Sequence, residues 1–305
     1  MNNKKIGIAI VAPSGYTFDD AALARGIARL EAQGHTVHNY FDTGKVFQRF
    51  GGTDEARLAQ LNAAADDPQV QVVMALRGQY GMTRLLPQID FARMAASGKI
   101  FVGYSDFTAF QMALLAKTGA QSYAGPMFLS DFAADEPLAF TLDDFYSCVS
   151  SRTHRIVQPA CGNPALAVDG TVWGGNLAMI MSLLGTPYFP HIDNGILFVE
   201  DVNEHPYRIE RMLLQLMHSG VLARQKALIL GDFSAYRLSP ADNGYDFDAM
   251  LAYLRNTLPC PVLTGLQFGH CRQRVTIPFG ASASLHSDAT EFALTISGYP
   301  TLADA

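Results

Sequence analysis

The sequence has little charge, little cysteine and no basic block. Asp, Glu, Lys and Arg make up 16% of its 305 residues, against roughly 25% in an average soluble domain. Lys and Arg number 22 against 28 Asp and Glu, a net charge of −6. Phosphate backbones are held by clustered Lys and Arg, so a nucleic-acid partner is excluded. The four cysteines, Cys148, Cys161, Cys260 and Cys271, form no CxxC pair. Their spacing fits neither a zinc site nor a disulfide framework, and they read as reduced thiols of a cytoplasmic protein. HExxH, GxxxxGK[ST] and GxGxxG are all missing, which counts against a zinc peptidase and against nucleotide binding. No metal and no cofactor are expected. The uncharged stretch between Asp169 and Asp193 is long enough to span a bilayer, which takes ~20 residues. Gly174, Gly175, Asn176, Gly185, Pro187 and Pro190 break it into strand, turn, short helix and loop, so no membrane segment is expected.

Apolar residues make up 49% of the chain, enough at this length to bury a core without staples. The length itself allows about two domains. The first half alternates apolar runs with helical patterns. Strands are predicted at 6–12, 36–40, 70–76 and 100–104. Helices are predicted at 19–33, stopped by Gly34, at 54–65, and at 107–117, closed by Gly119, with a further helical piece at 83–86. The run 6–12 sits at the short limit of a signal-peptide core, ~7–15 residues, and ends at Pro13-Ser14-Gly15, so it reads as a buried strand. Such alternation implies an α/β domain with a parallel, flavodoxin/Rossmann-like sheet over residues 1–150. Residues 151–164, polar and holding Pro159, Gly162 and Pro164, read as a linker. Residues 165–305 begin with apolar strands at 195–200 and 227–231 around a helix at 207–219. They continue with a helix at 246–257 and strands at 261–266, 274–278, 281–285 and 292–297. Consecutive strands without helices predict a smaller, β-rich, barrel-like C-terminal domain.

Ligands of parallel sheets gather at the carboxyl ends of strands. Three such ends are unusual: Ala12-Pro13-Ser14-Gly15, Arg77-Gly78-Gln79-Tyr80-Gly81 and Gly103-Tyr104-Ser105-Asp106. A serine on a strand-to-helix turn, as Ser105 is, points its hydroxyl into the crevice and sits among free helix N–H groups that can hold an oxyanion. The same position also suits an ordinary helix N-cap. A serine nucleophile needs a base and a carboxylate that orients the base. Of eight histidines, His270 and His205 lie in suggestive contexts. His35 and His38 point to opposite faces of a strand and read as surface positions, and His154 falls in the linker. Glu200 closes an apolar strand, where an unpaired carboxylate is costly; Asp201 and Glu204 follow it. Ser14 reads either as a substrate contact or as part of a turn.

Taken together these segments resemble the LD-carboxypeptidases of peptidoglycan recycling, a serine peptidase family. The resemblance runs through Ala12-Pro13-Ser14-Gly15, Arg77-Gly78-Gln79-Tyr80-Gly81, Tyr104-Ser105-Asp106-Phe107-Thr108 and Trp173-Gly174-Gly175-Asn176-Leu177. It continues through Glu200-Asp201-Val202-Asn203-Glu204-His205-Pro206-Tyr207-Arg208 and Gly265-Leu266-Gln267-Phe268-Gly269-His270. It implies Ser105 as nucleophile, Glu200 as acid and His270 as base, split across an α/β domain and a smaller β-rich one, in a cytoplasmic homodimer. It also implies an oxyanion hole formed by the Asp106 N–H and by Gly78 or Gln79. The family pattern is Arg-Gly-Gly-Tyr-Gly, so Gln79 departs from it; if that position requires φ > 0, glutamine is strained where glycine is not.

The implied reaction releases terminal D-Ala from a muropeptide tetrapeptide by acyl transfer through Ser105. The substrate carboxylate needs a cation, and Arg208 and Arg77 are the candidates. Two other readings stand beside this one. One is a peptidase of the same family that cleaves peptidyl-nucleotide antibiotics; the other is a two-lobed ligand-binding protein without catalysis.

Overall fold

The computed structural model describes residues 5–305. The first half runs β1 (Gly7–Val11), α1 (Asp20–Ala32), β2 (Thr36–Asn39), α2 (Asp54–Asp66), β3 (Val72–Ala75), α3 (Met82–Leu85), α4 (Phe91–Ala96), β4 (Ile100–Gly103), α5 (Thr108–Thr118) and β5 (Ser122–Ala124). β1, β3 and β4 are buried along their whole length. Strands covered on both faces read as unbroken apolar runs, which is how the sequence displays them. Local chemistry sets the helix ends. The Asp19 side chain accepts from the Ala22 N–H to cap α1, and Gly119 ends α5 at φ +73°, a left-handed conformation that glycine adopts freely.

The strands β2, β1, β3, β4 and β5 form a parallel sheet in that order. This is the flavodoxin-like order, and its switch point lies between β1 and β3, where ligands of such sheets bind. The two predicted loops at 12–15 and 77–81 leave the carboxyl ends of these two strands.

The second half runs α6 (Ala139–Ser150), β6 (Thr153–Pro159), β7 (Leu166–Asn176), α7 (Leu177–Leu183), β8 (Gly195–Val202), α8 (Pro206–His218), β9 (Gln225–Ser234), α9 (Phe247–Thr257), β10 (Val262–Thr264), β11 (Ile277–Phe279), β12 (Ala281–Ser287) and β13 (Glu291–Ser297). Its sheet has seven strands in the order β10-β9-β8-β7-β12-β13-β6. The β7 to β10 side is parallel and wound through α7, α8 and α9, whereas β7, β12, β13 and β6 pair antiparallel. Asn163, just past β6, bonds the Thr264 backbone of β10 through both its amide nitrogen and its oxygen. The two ends of the strand order are thereby drawn together, which gives the sheet a barrel-like curl.

Several expectations are corrected. Residues 151–164 are not a plain linker, because β6 occupies 153–159 and its inward positions include His154, which lies 3.2 Å from Asp144. Residues 165–305 are not one separate body, since β11 crosses over to pair antiparallel with β5 in the first sheet. The second sheet has seven strands, and the first reaches six only by including β11 from the second half. His35 is buried, with its Nε2 3.1 Å from the Tyr146 hydroxyl. Among the described residues no helix is long and apolar enough to cross a membrane.

Trp173 on β7 ties this sheet to the loop before β8. Its indole N–H donates to the Gln225 Oε1 at 2.8 Å, and the Gln225 amide donates onward to the Ile192 and Val221 carbonyls. Gln225→Leu strands all three buried groups, each costing ~1–3 kcal/mol when left unpaired. The urea midpoint, read by fluorescence of this only tryptophan in the chain, is expected to fall by the equivalent of at least ~2 kcal/mol with the slope unchanged; an unchanged midpoint would contradict the assignment.

Candidate active site

Tyr104 ends β4 in an extended conformation, and Ser105 turns abruptly to φ +58° before a short helical turn leads into α5. A non-glycine residue held there is strained by roughly 1–3 kcal/mol. This is the sharp strand-to-helix turn expected of an exposed nucleophile. The loop after β3 lies directly on it. A Cβ added at Gly78 would sit 2.7 Å from the Ser105 Cβ and Oγ and 3.6 Å from the Asp106 nitrogen, so only glycine fits. The Gly78 carbonyl accepts from the Gly15 N–H at 3.0 Å. Because the peptide is planar and trans, this bond turns the Gln79 N–H away from Gly15. Gln79 itself has φ +80°, so the departure from glycine falls on a position that does take a positive φ, and glutamine occupies it. The Gln79 side chain folds over Gly15, whose missing Cβ leaves room for its Oε1.

Two buried side chains brace these loops. Asp106 accepts from the Ser14 hydroxyl at 2.5 Å and from the Met82 N–H at 2.8 Å. Burial pushes its carboxyl above the usual range, opposed by those hydrogen bonds and the Arg57 charge. Arg57, fully buried, donates to the carbonyls of Pro13 and Gly81 and pairs with Asp54 at 2.6 Å. Ser14 reads from the sequence either as a substrate contact or as part of a turn. It is 1% exposed with its hydroxyl committed to Asp106, a bracing position within the turn.

Glu200 comes from the second sheet and His270 from the loop after β10. Glu200, near the carboxyl end of β8, has no exposed surface. Its Oε2 lies 2.7 Å from the His270 Nδ1, and its Oε1 accepts from the Asn176 amide at 3.1 Å. A carboxylate can only accept, so Nδ1 carries the proton and the Nε2 lone pair is left free. Gly269, at φ +134°, lets the loop pass this close, since a Cβ there would be 2.9 Å from that of Glu200. The His270 ring lies edge-on to Tyr104 at 5.2 Å, one residue before Ser105. Asn176 also donates its own N–H to the Thr108 hydroxyl at the start of α5, a second tie between the halves. Among the described residues the Ser105 hydroxyl has no hydrogen-bond partner.

The rival acids and base go elsewhere. Asp201 accepts from the Ala178 and Val202 N–H groups, and burial, with Glu200 beside it, raises its pKa to about 6. Glu204 pairs with Arg208 at 3.8 Å. His205 caps α8 and faces Asp242 at 3.1 Å. Arg208 stands half out in solvent at the first turn of α8, whereas Arg77, next to Gly78, is partly buried and donates to the Tyr16 carbonyl at 3.0 Å. Asn176 and Thr108 lie within the sequence motifs with nothing local to mark their contacts, and the buried cations Arg57 and Arg274 leave no local pattern in the sequence.

Models of the LD-carboxypeptidase N-terminal and C-terminal domains match residues 8–125 and 169–285. The chain belongs to the LD-carboxypeptidase family. It is similar to the crystal structure of muramoyltetrapeptide carboxypeptidase from Oxalobacter formigenes, at 52% identity and a TM-score of 0.93, over 97% of this chain and 100% of that one. It is 29% identical to the murein tetrapeptide carboxypeptidase of Pseudomonas aeruginosa, over 92% of this chain and 93% of the relative. It is 27% identical to the microcin C7 self-immunity protein MccF of Escherichia coli, over 89% and 87% respectively.

His270 carries opposing influences. Burial pushes its pKa down, but the hydrogen bond and charge of Glu200, with Asp201 behind, outweigh it together with Arg274, so the pKa lies above the ordinary 6.5. Glu200→Gln removes the main upward influence and leaves burial in control. The imidazole followed by NMR is expected to titrate above 6.5 in the wild type and below it in the variant; a midpoint that stays or rises would show that Glu200 does not set it.

Proposed function

We propose that the protein is a serine LD-carboxypeptidase that releases the terminal D-Ala of muropeptide tetrapeptides in cytoplasmic peptidoglycan recycling. The observation that carries this reading is the pair of buried Glu200 with partly exposed His270, whose ring packs in a T-shape with Tyr104, immediately before the strained Ser105. The 52% identity to a muramoyltetrapeptide carboxypeptidase supports the substrate. The recycling setting and a homodimeric state rest on the family resemblance. A peptidase of peptidyl-nucleotide antibiotics is the second reading, supported by the 27% identity to the microcin C7 self-immunity protein.

In the mechanism, His270 Nε2 takes the Ser105 proton as Oγ attacks the carbonyl of the third residue. The hydroxyl has no competing partner, and catalytic hydrogen bonds often close only once substrate is bound. The developing oxyanion meets the Asp106 N–H and a second N–H, for which Gln79 is the better candidate than Gly78 because the Gly78–Gly15 bond turns it outward. The protonated His270 then gives its proton to the leaving D-Ala amine. Water, deprotonated by His270 in turn, hydrolyses the ester and frees Ser105. Glu200 holds the imidazole tautomer and stabilises the imidazolium throughout. Arg77 or Arg208 holds the terminal carboxylate.

Ser105→Ala is expected to lower kcat for D-Ala release by ~10⁴–10⁶ with an unchanged melting temperature; a variant keeping a tenth of the activity would sink the nucleophile assignment. A fixed cation for the terminal carboxylate also acts as a ruler. In a pentapeptide that carboxylate lies one residue, roughly 3.5 Å, further from the L,D bond, whereas near-attack geometry tolerates ~1 Å. Tetrapeptide should therefore be cleaved and pentapeptide spared, with products identified by mass; equal cleavage of both would remove the ruler.

A further inference from the structure

Arg274 joins the nucleophile's strand to the base's loop. Its side chain is 4% exposed. Its Nε donates to the Gly269 carbonyl at 3.1 Å and its Nη2 to the Cys271 carbonyl at 2.7 Å, which are the two residues flanking His270. Its Nη1 pairs with Asp131 of the first half, itself held by the Met127 N–H and the Ser130 hydroxyl. The guanidinium lies 4.4 Å from the centre of the Tyr104 ring, which also packs in a T-shape with His270. One planar cation thus contacts both sides of His270, the residue before Ser105, and an anchor in the opposite half.

We propose that Arg274 is the positioning residue of the proposed active site: its fork fixes the 269–271 loop so that the His270 ring is presented to Ser105 across the junction of the two sheets. It does not touch substrate, and the proposal rests on the serine mechanism above. Lysine cannot do this work, because a single ammonium lacks the planar fork that serves two carbonyls and a carboxylate at once. Arg274 also acts on His270 electrostatically. The groups facing the imidazole are Glu200 and Asp201 on β8, Asp232 on β9 beside Gly269, Tyr104 after β4, and Cys271 and Arg274 on its own loop. Arg274 opposes the acids, so its removal raises the His270 pKa. The base must be neutral to accept a proton, so the acid limb of kcat/KM moves to higher pH.

The test uses the full chain with Arg274→Met and Arg274→Lys, an NMR titration of the His270 imidazole, and tetrapeptide kinetics. For Arg274→Met the imidazole midpoint is expected to rise and its signals to broaden. kcat is expected to fall about 100-fold, the effect of roughly 1 Å of misplacement, with KM changing less than threefold. Arg274→Lys retains the charge, so the midpoint should stay near the wild-type value while kcat still falls at least tenfold. A folded Arg274→Met protein with unchanged titration and kcat would overturn the proposal. If Arg274→Met does not fold, Arg274→Lys decides, because an unchanged kcat in that variant would overturn it equally. If wild-type protein does not cleave tetrapeptide, the functional reading fails, and the titration still decides whether Arg274 positions His270.

Discussion

A carboxylate with no access to water must find partners, and the Glu200 carboxylate at the end of β8 is that constraint here. Burying it alone is expensive; the His270 Nδ1–H and the Asn176 amide satisfy its two oxygens. Each partner carries a consequence. For His270 to come within 2.7 Å, residue 269 must be glycine, because a side chain there meets both Glu200 and Asp232. For Asn176 to reach Glu200, β7 must end beside α5, and its own N–H then lands on the Thr108 hydroxyl. Thr108 is three residues past Ser105, so satisfying one buried charge in the second sheet sets where the first sheet's turn lies.

The first sheet answers with rigidity. Ser105 and Gln79 both hold positive φ angles on facing loops, conformations that persist only where the surroundings over-determine them. Asp106 ties the loop after β1 to the loop after β3, and Arg57 ties the same two loops through Pro13 and Gly81. Buried ionic groups of this kind add little net stability relative to an apolar core but are costly to break singly. Their consequence is that the peptides around Ser105 have one arrangement. Gly15, Gly78 and Gly81 contribute by absence, since each lets a neighbouring side chain occupy the place of a Cβ.

β1, β3 and β4 were legible because burial on both faces writes an unbroken apolar run. The strand-to-helix turn at Ser105, the carboxylate at the end of an apolar strand at Glu200 and the glycine before His270 are local features, which is why the sequence singles these residues out. β6 was not. Its inward positions are His154, Ile156 and Gln158 while Val157 faces out, so the period-two signal is inverted by polar residues that find partners only in the fold. β5, at three residues, is too short to carry a pattern, and whereas a strand overlapping β11 was predicted at 274–278, its pairing with β5 across the chain is a tertiary event. The mid-chain helix α6 has apolar residues on several sides, and its face is decided by what packs on it. Ser14 and Arg274 act through atoms remote in sequence, which spacing does not encode.

The central claim is that two separately built sheets converge to activate one hydroxyl. Labelling the native protein with a fluorophosphonate and mapping the adduct by peptide mass spectrometry tests it most directly. A single adduct on Ser105, formed in wild type and lost in His270→Ala, is the expected result. Labelling of another residue, or labelling of Ser105 that proceeds as fast without His270, would contradict it.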